Sequence, residues 1–164
     1  MKKIFLIIIG IALIGCEKEE IPNSYSQLAG TWQWKAYILN GEVENYDNGD
    51  YYNKIEYKFY SDKTYEYIMY FMNEETEKIE GYHSMEIGTY EIIGDSIYRK
   101  FDLYYSNGTT EYEVVQKEDL ILYDENIEVH NFYNIENDSN LTFKFNTDTE
   151  QEFRTTDRKF VRLN

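Results

Sequence analysis

The chain has 164 residues but one cysteine, one proline and two histidines, and each scarcity removes a class of protein. A lone Cys16 cannot form a disulfide within the chain, which excludes a disulfide-stapled scaffold and a cysteine-rich zinc site. His83 and His130 are the only imidazoles; they fall in segments read as separate strands, without the close spacing of a metal site. There is no Gly-x-Ser-x-Gly elbow, phosphate-cradling glycine loop or His-Glu-x-x-His helix. The expectation is a protein that is not an enzyme and holds no cofactor or metal. Asp47-Asn48-Gly49-Asp50 offers oxygen donors but not the remaining spacing of a calcium loop, and reads as a turn.

Positive charge is also scarce. Sixteen Lys and Arg face 31 Asp and Glu, a formal net charge of −15, and such a surface repels phosphate backbones. No nucleic-acid partner is expected, and the bulk of the acidity serves solubility. Apolar runs are confined to residues 4–14, and helix formers in runs are scarce after them.

Aromatic residues are what the chain does have: 18 Tyr and 9 Phe, side chains that suit a pleated, half-buried surface. Residues 31–39 read as a first strand, closed by Asn40-Gly41, where both positions tolerate positive φ. Ile55, Tyr57 and Phe59 then alternate with Glu56 and Lys58, as a strand with one solvated face requires. Ser61-Asp62-Lys63 turns the chain into residues 64–72, where Tyr65, Tyr67, Met69 and Phe71 oppose Ile68, Tyr70 and Met72. Either both faces of that strand are covered or one lines a cavity, which makes Tyr65, Tyr67, Met69 and Phe71 the candidate cavity lining.

Residues 78–86 and 87–93 read as one interrupted strand or two consecutive ones around Gly88. Gly94-Asp95 leads into residues 96–105, with Ile97, Phe101, Leu103 and Tyr105 assigned to one face, and Asn107-Gly108 signals another hairpin. Segments 109–116, 120–123, 127–133, a late strand marked by Leu141, Phe143 and Phe145, and 154–163 complete the series, with 134–140 as turn material. Nine or ten short strands with tight turns and no crossover helix predict an all-β antiparallel sandwich or barrel, and closure would remove the exposed edges.

Lys2-Lys3 before the short apolar run has the form of a secretory signal too short to span a bilayer. Leu13-Ile14-Gly15-Cys16 resembles the bacterial lipobox, which implies cleavage before Cys16 and acylation of it, palmitate being a typical chain. Lys18-Glu19-Glu20 resembles the surface-export signal of Bacteroidota lipoproteins, although an ordinary charged tether facing the periplasm has similar letters. Asp95-Ser96-Ile97 also resembles the short O-glycosylation acceptor of that phylum, and a hairpin turn explains it equally. The resulting division is a signal peptide at 1–15, a lipidated tether or linker at 16–27 and a folded domain at 28–164. The expected address is the outer membrane, held by acyl chains and displayed on the surface.

Leu28-Ala29-Gly30-Thr31-Trp32 is similar to the opening of lipocalin-like domains. Segments 59–65 and 88–95 and Asp119-Leu120-Ile121-Leu122 fit the same small bacterial family. The resemblance implies an antiparallel up-and-down lipocalin-like β-barrel in which Trp32 seals the closed end beneath Arg162, with Arg158 behind it. It implies binding of a small hydrophobic or amphipathic ligand; the other reading is a filled barrel acting as an envelope structural or protein-interaction module. Cys16→Ala is expected to move the protein from the membrane to the soluble fraction with its unfolding midpoint unchanged. Protease added to intact cells should degrade the wild type, and full protection until lysis would exclude surface display.

Overall fold

The computed structural model describes residues 23–39, 41–45, 53–73, 75–108, 115–123, 126–144 and 157–163. Cys16 and the leader, the 47–50 turn and Phe145 lie outside the described residues.

A short helix, α1 (Asn23–Leu28), leads into ten strands: β1 (Gly30–Leu39), β2 (Glu42–Asn45), β3 (Asn53–Phe59), β4 (Thr64–Asn73), β5 (Lys78–Ile93), β6 (Ser96–Ser106), β7 (Ile121–Tyr123), β8 (Ile127–Glu136), β9 (Asn140–Lys144) and β10 (Asp157–Leu163). All pairings are antiparallel, and neighbours follow chain order except where a short strand shares a position. β2 and β3 lie along the same side of β1, opposite Ala36–Leu39 and Gly30–Gln33 respectively. β7 and β8 share one side of β6 in the same way. Eight positions result among the described residues, and β1 pairs with β10 from Thr31↔Leu163 to Ile38↔Asp157, closing the sheet on itself. The expected antiparallel up-and-down barrel is thus the observed fold.

Alternation decides which side chains enter it. Ile55, Tyr57 and Phe59 are buried on β3 while Lys58 is exposed, and Leu141, Phe143 and Phe160 are 0%, 1% and 1% exposed on β9 and β10. Tyr57 lies at the centre of the aromatic core, its ring 5.5 Å from Phe143, 5.5 Å from Phe160 and 5.6 Å from Phe59. Edge-on and offset contacts of this kind each add about 0.5–1.5 kcal/mol beyond area burial.

Several features depart from the sequence reading, and one is that residues 134–136, read as turn material, continue β8 to Glu136, leaving 137–139 as the turn. Residues 23–27, read as the end of the tether, belong to the folded body: α1 places Tyr25 and Leu28 three residues apart on one buried face. The Tyr25 hydroxyl accepts the Ile92 amide at 3.0 Å, and its ring lies 5.6 Å from Tyr90. Residues 78–93 form one continuous strand, with bulges absorbing the mismatch against β4. The face assigned to Ile97, Phe101, Leu103 and Tyr105 is split. Register jumps from Gly88↔Phe101 to Ile87↔Leu103, so Asp102 is the extra residue of a bulge and the alternation flips. Tyr104, not Leu103 or Tyr105, packs against the core beside Phe101.

Gly88 makes that bulge possible. A Cβ there would lie 2.0 Å from the Lys100 carbonyl oxygen and 2.6 Å from the Phe101 Cα, both backbone atoms that cannot swing aside. Gly88→Ala should therefore cost about 3 kcal/mol of stability. Gly94→Ala, at φ +64° with open space around it, should cost only about 1 kcal/mol. Urea midpoints distinguish the two, and equal losses would contradict the backbone clash.

Candidate functional site

One end of the barrel is closed by α1, the β3–β4 turn and the β8–β9 turn. The Trp32 indole N–H donates to the Leu28 carbonyl at 2.7 Å, tying helix to strand at a fully buried position. The Arg162 guanidinium stands over the Trp32 ring at 4.5 Å and donates to the Gln27 carbonyl, while its backbone N–H donates to the Ser139 carbonyl at 2.9 Å. Gly30, at φ +140°, carries the chain out of α1, and a Cβ there would touch the Arg162 guanidinium at 3.7–3.9 Å. The glycine is called for by that positive φ, which side-chain-bearing residues rarely adopt, while the space beside it would admit a Cβ in ordinary contact with Arg162. Arg158, expected behind Arg162, stands instead over Trp34 at 5.1 Å.

Above this seal, the barrel interior holds a charged group that the sequence reading passed over. Arg99, on β6 between the inward-facing Ile97 and Phe101, is 4% exposed. Its guanidinium reaches across the interior to β3 and donates from Nη1 to the Tyr57 hydroxyl at 2.6 Å, and from Nη2 to the Asn131 carboxamide oxygen at 2.8 Å. It also lies 4.8 Å from the Tyr57 ring centroid and 5.7 Å from that of Phe143. Glu86, on β5, lies 3.9 Å from Arg99 Nη1 and accepts the Tyr65 hydroxyl at 3.3 Å. The cross-strand row Tyr57↔Tyr67↔Glu86 places these groups on three successive strands.

Burial of a guanidinium has a desolvation cost of several kcal/mol unless its donors and charge are answered. Burial works against the charge of Arg99, but the oxygens of Tyr57, Tyr65 and Glu86 outweigh it and hold the group protonated. Burial also raises the Tyr57 phenol, with Arg99 opposing, and it raises Tyr65 and Tyr67 well above the ordinary phenol range. All three phenols therefore act at neutral pH as neutral donors and acceptors.

Tyr65, Tyr67 and Met69 belong to or pack against the interior cluster, and Tyr65 and Tyr67 border the arginine centre. Phe71 is buried but lies past the first β4 bulge, its ring 6.4 Å from His83, so it does not continue the lining. His83 is half-buried with its pKa lowered by burial, and His130 is exposed and stacked on Tyr98 at 4.5 Å. The two histidines are not brought together, and no group of three metal-ligating side chains occurs among the described residues. A groove of about 310 Å³ lies on the outer face of β5, β6 and β8, bordered by Glu91, Tyr98, Lys100 and Glu128.

Arg99 was legible in principle, since the alternation Ile97-x-Arg99-x-Phe101 sets a cation on an apolar face. Its partners were not, because Tyr57, Glu86 and Asn131 come from three other strands.

Fold and interior together define a small closed antiparallel barrel with a polar centre inside an aromatic wall. The chain is similar in fold to a lipocalin-like protein from Bacteroides uniformis, at 17% identity and a TM-score of 0.45, over 84% of this chain and 99% of that one. It is similar also to an uncharacterized protein from Bacteroides eggerthii, at 17% identity and a TM-score of 0.44, over 82% and 98% of the two chains. No protein-family model matches the chain, and no curated protein matches it in sequence.

The Glu86 carboxyl is raised by burial, with Arg99 and the Tyr65 hydrogen bond opposing. The native state then holds this proton more tightly than the unfolded chain, so the stability linked to it is whole below the unfolded pKa of 4.5 and is lost as pH rises through the native value. Glu86→Gln removes the titration, and its stability relative to wild type should improve from about pH 4 to about pH 7. Urea unfolding at both pH values reads this; a difference independent of pH would contradict it.

Proposed function

We propose that the protein is a lipid-anchored envelope protein whose barrel binds a small amphipathic molecule and performs no chemistry on it. The observation that carries this reading is the Arg99 centre: a polar cluster set inside an aromatic barrel suits a ligand with one polar end and an apolar body. Individual wall residues also differ in exposure. Trp32 and Tyr65 are fully buried toward the closed end, while Trp34, Tyr67 and Met69 retain partial exposure farther along the same strands.

Anchoring at Cys16 would fit this arrangement. Seven residues from Cys16 through Pro22 precede α1 and reach at most about 25 Å when extended. Because α1 packs at the sealed end, an acylated Cys16 would hold that end toward the bilayer and turn the other end outward. Several acyl chains, at about 0.8 kcal/mol per buried CH₂, suffice for durable attachment without a membrane-spanning helix. Among the described residues no helix is long and apolar enough to cross a membrane. The Bacteroidota-type export signal at Lys18-Glu19-Glu20 supports display on the outer face of the outer membrane.

The full chain carrying Cys16→Ala, free of detergent, is expected to bind one equivalent of the fluorescent probe N-phenyl-1-naphthylamine saturably. Probe fluorescence and native mass spectrometry read the stoichiometry. Failure to bind would favour the filled-barrel reading, in which the loops engage a protein partner.

A further inference from the structure

We propose that the groove on the outer face of the barrel is a separate binding site, independent of the interior, and that it takes a small organic cation. Strand register builds it. Glu91 of β5 stands opposite Tyr98 of β6, and Tyr98 stands opposite His130 of β8. Farther along the same strands Lys100 stands opposite Glu128. These residues alternate with the buried Tyr90, Ile97, Arg99 and Asn131, which turn into the barrel, so they share its outer face. The groove of about 310 Å³ lies over this grid, and the strand segments at Tyr90 and Arg99 form its floor.

An open aromatic ring is the first support. Tyr98 is 42% exposed, yet its ring is held in place: His130 lies parallel to it at 4.5 Å, and Phe132 meets His130 edge-on at 5.2 Å. Tyr98 borders the groove and His130 does not, so the face of Tyr98 that His130 leaves free is the one turned to the groove. The electron-rich face of a ring attracts a cation, and a ring already fixed loses little freedom on binding. Ile93, 56% exposed along the same groove, offers apolar surface for the carbon of an organic cation.

Charge is the second support. Glu91 and Glu128 both border the groove, and among the described residues neither carboxylate makes an ion pair or a hydrogen bond. The cross-strand position of Lys100 does not bring its ammonium into an ion pair with Glu128. Two carboxylates therefore face one ammonium across an open ring, on a chain of net charge −15. Such a groove draws in cations and repels anions. A sugar also lies well on an exposed ring, but carboxylates left unneutralised favour a ligand that brings positive charge.

Choline and its neutral isostere 3,3-dimethylbutan-1-ol share a shape and differ in charge. Each is titrated into the full chain carrying Cys16→Ala, and the ring-proton NMR signals of His83 and His130 are followed. Choline should shift His130 saturably, leave His83 in place and bind about tenfold more tightly than the alcohol. Tyr98→Leu should weaken choline by about tenfold, whereas Tyr98→Phe, which keeps the ring, should bind it as the wild type does. Glu91→Gln combined with Glu128→Gln should remove most of the preference for choline over the alcohol. All of these side chains are on the barrel surface, and an unchanged urea midpoint confirms that each variant is folded; should Tyr98→Leu lose stability, the double carboxamide variant carries the test. No saturable shift of His130, equal affinity for choline and the alcohol, or tighter binding of methyl β-glucopyranoside than of choline would overturn the proposal.

Discussion

Closure of β1 against β10 is the constraint on which the other features depend. The pairing runs from Thr31↔Leu163 to Ile38↔Asp157 and joins the first strand to the last. Without it β1 and β10 would be sheet edges carrying unpaired amides, beside a tyrosine-rich surface prone to pairing with other chains. Closure also creates the Trp32–Arg162 stack, whose partners lie opposite each other in that register. The seal at the closed end is therefore a product of the barrel's closure, and α1 is held there by contacts with residues of β1, β5 and β10. The hydrogen bond from Arg162 to Gln27 spans 135 residues, so the seal forms only when the whole chain has come together.

The same enclosure makes a buried guanidinium sustainable. Arg99 would be an ordinary exposed cation on an open sheet; within the barrel it faces Tyr57 from the far wall, Asn131 from one neighbouring strand and Glu86 from the other. Tyr57 and Asn131 engage Nη1 and Nη2 and confine the group to one place. The centre thus both organises the core and presents charge inside it.

Much of the fold could be read along the chain. Alternation in Ile55, Tyr57 and Phe59 identified an inward face, and Gly41, Gly94 and Gly108 mark turns at positive φ. Lys63 also turns at positive φ, without a glycine, because Asp62 Oδ1 accepts from the Thr64 amide and hydroxyl and holds the turn. Two local readings failed for a shared reason. The bulge at Asp102 depends on the approach of Gly88 to the Lys100 carbonyl, a contact between strands that strict alternation along β6 does not register. Residues 23–27 look polar enough for a tether, yet Tyr25 and Leu28 find their burial only against Tyr90 and Trp32, distant or non-adjacent in sequence.

By itself the sequence determined the all-β architecture, most of the turn positions and the acidic surface. These are local properties, set by side-chain periodicity, glycine placement and composition. Only the tertiary structure decided that the strands close through β1 and β10, that α1 plugs the barrel, and that Arg99 meets Tyr57, Asn131 and Glu86 inside it. Those outcomes depend on register and on strands dozens of residues apart, where the burial of one charge is settled by which groups the fold places opposite it.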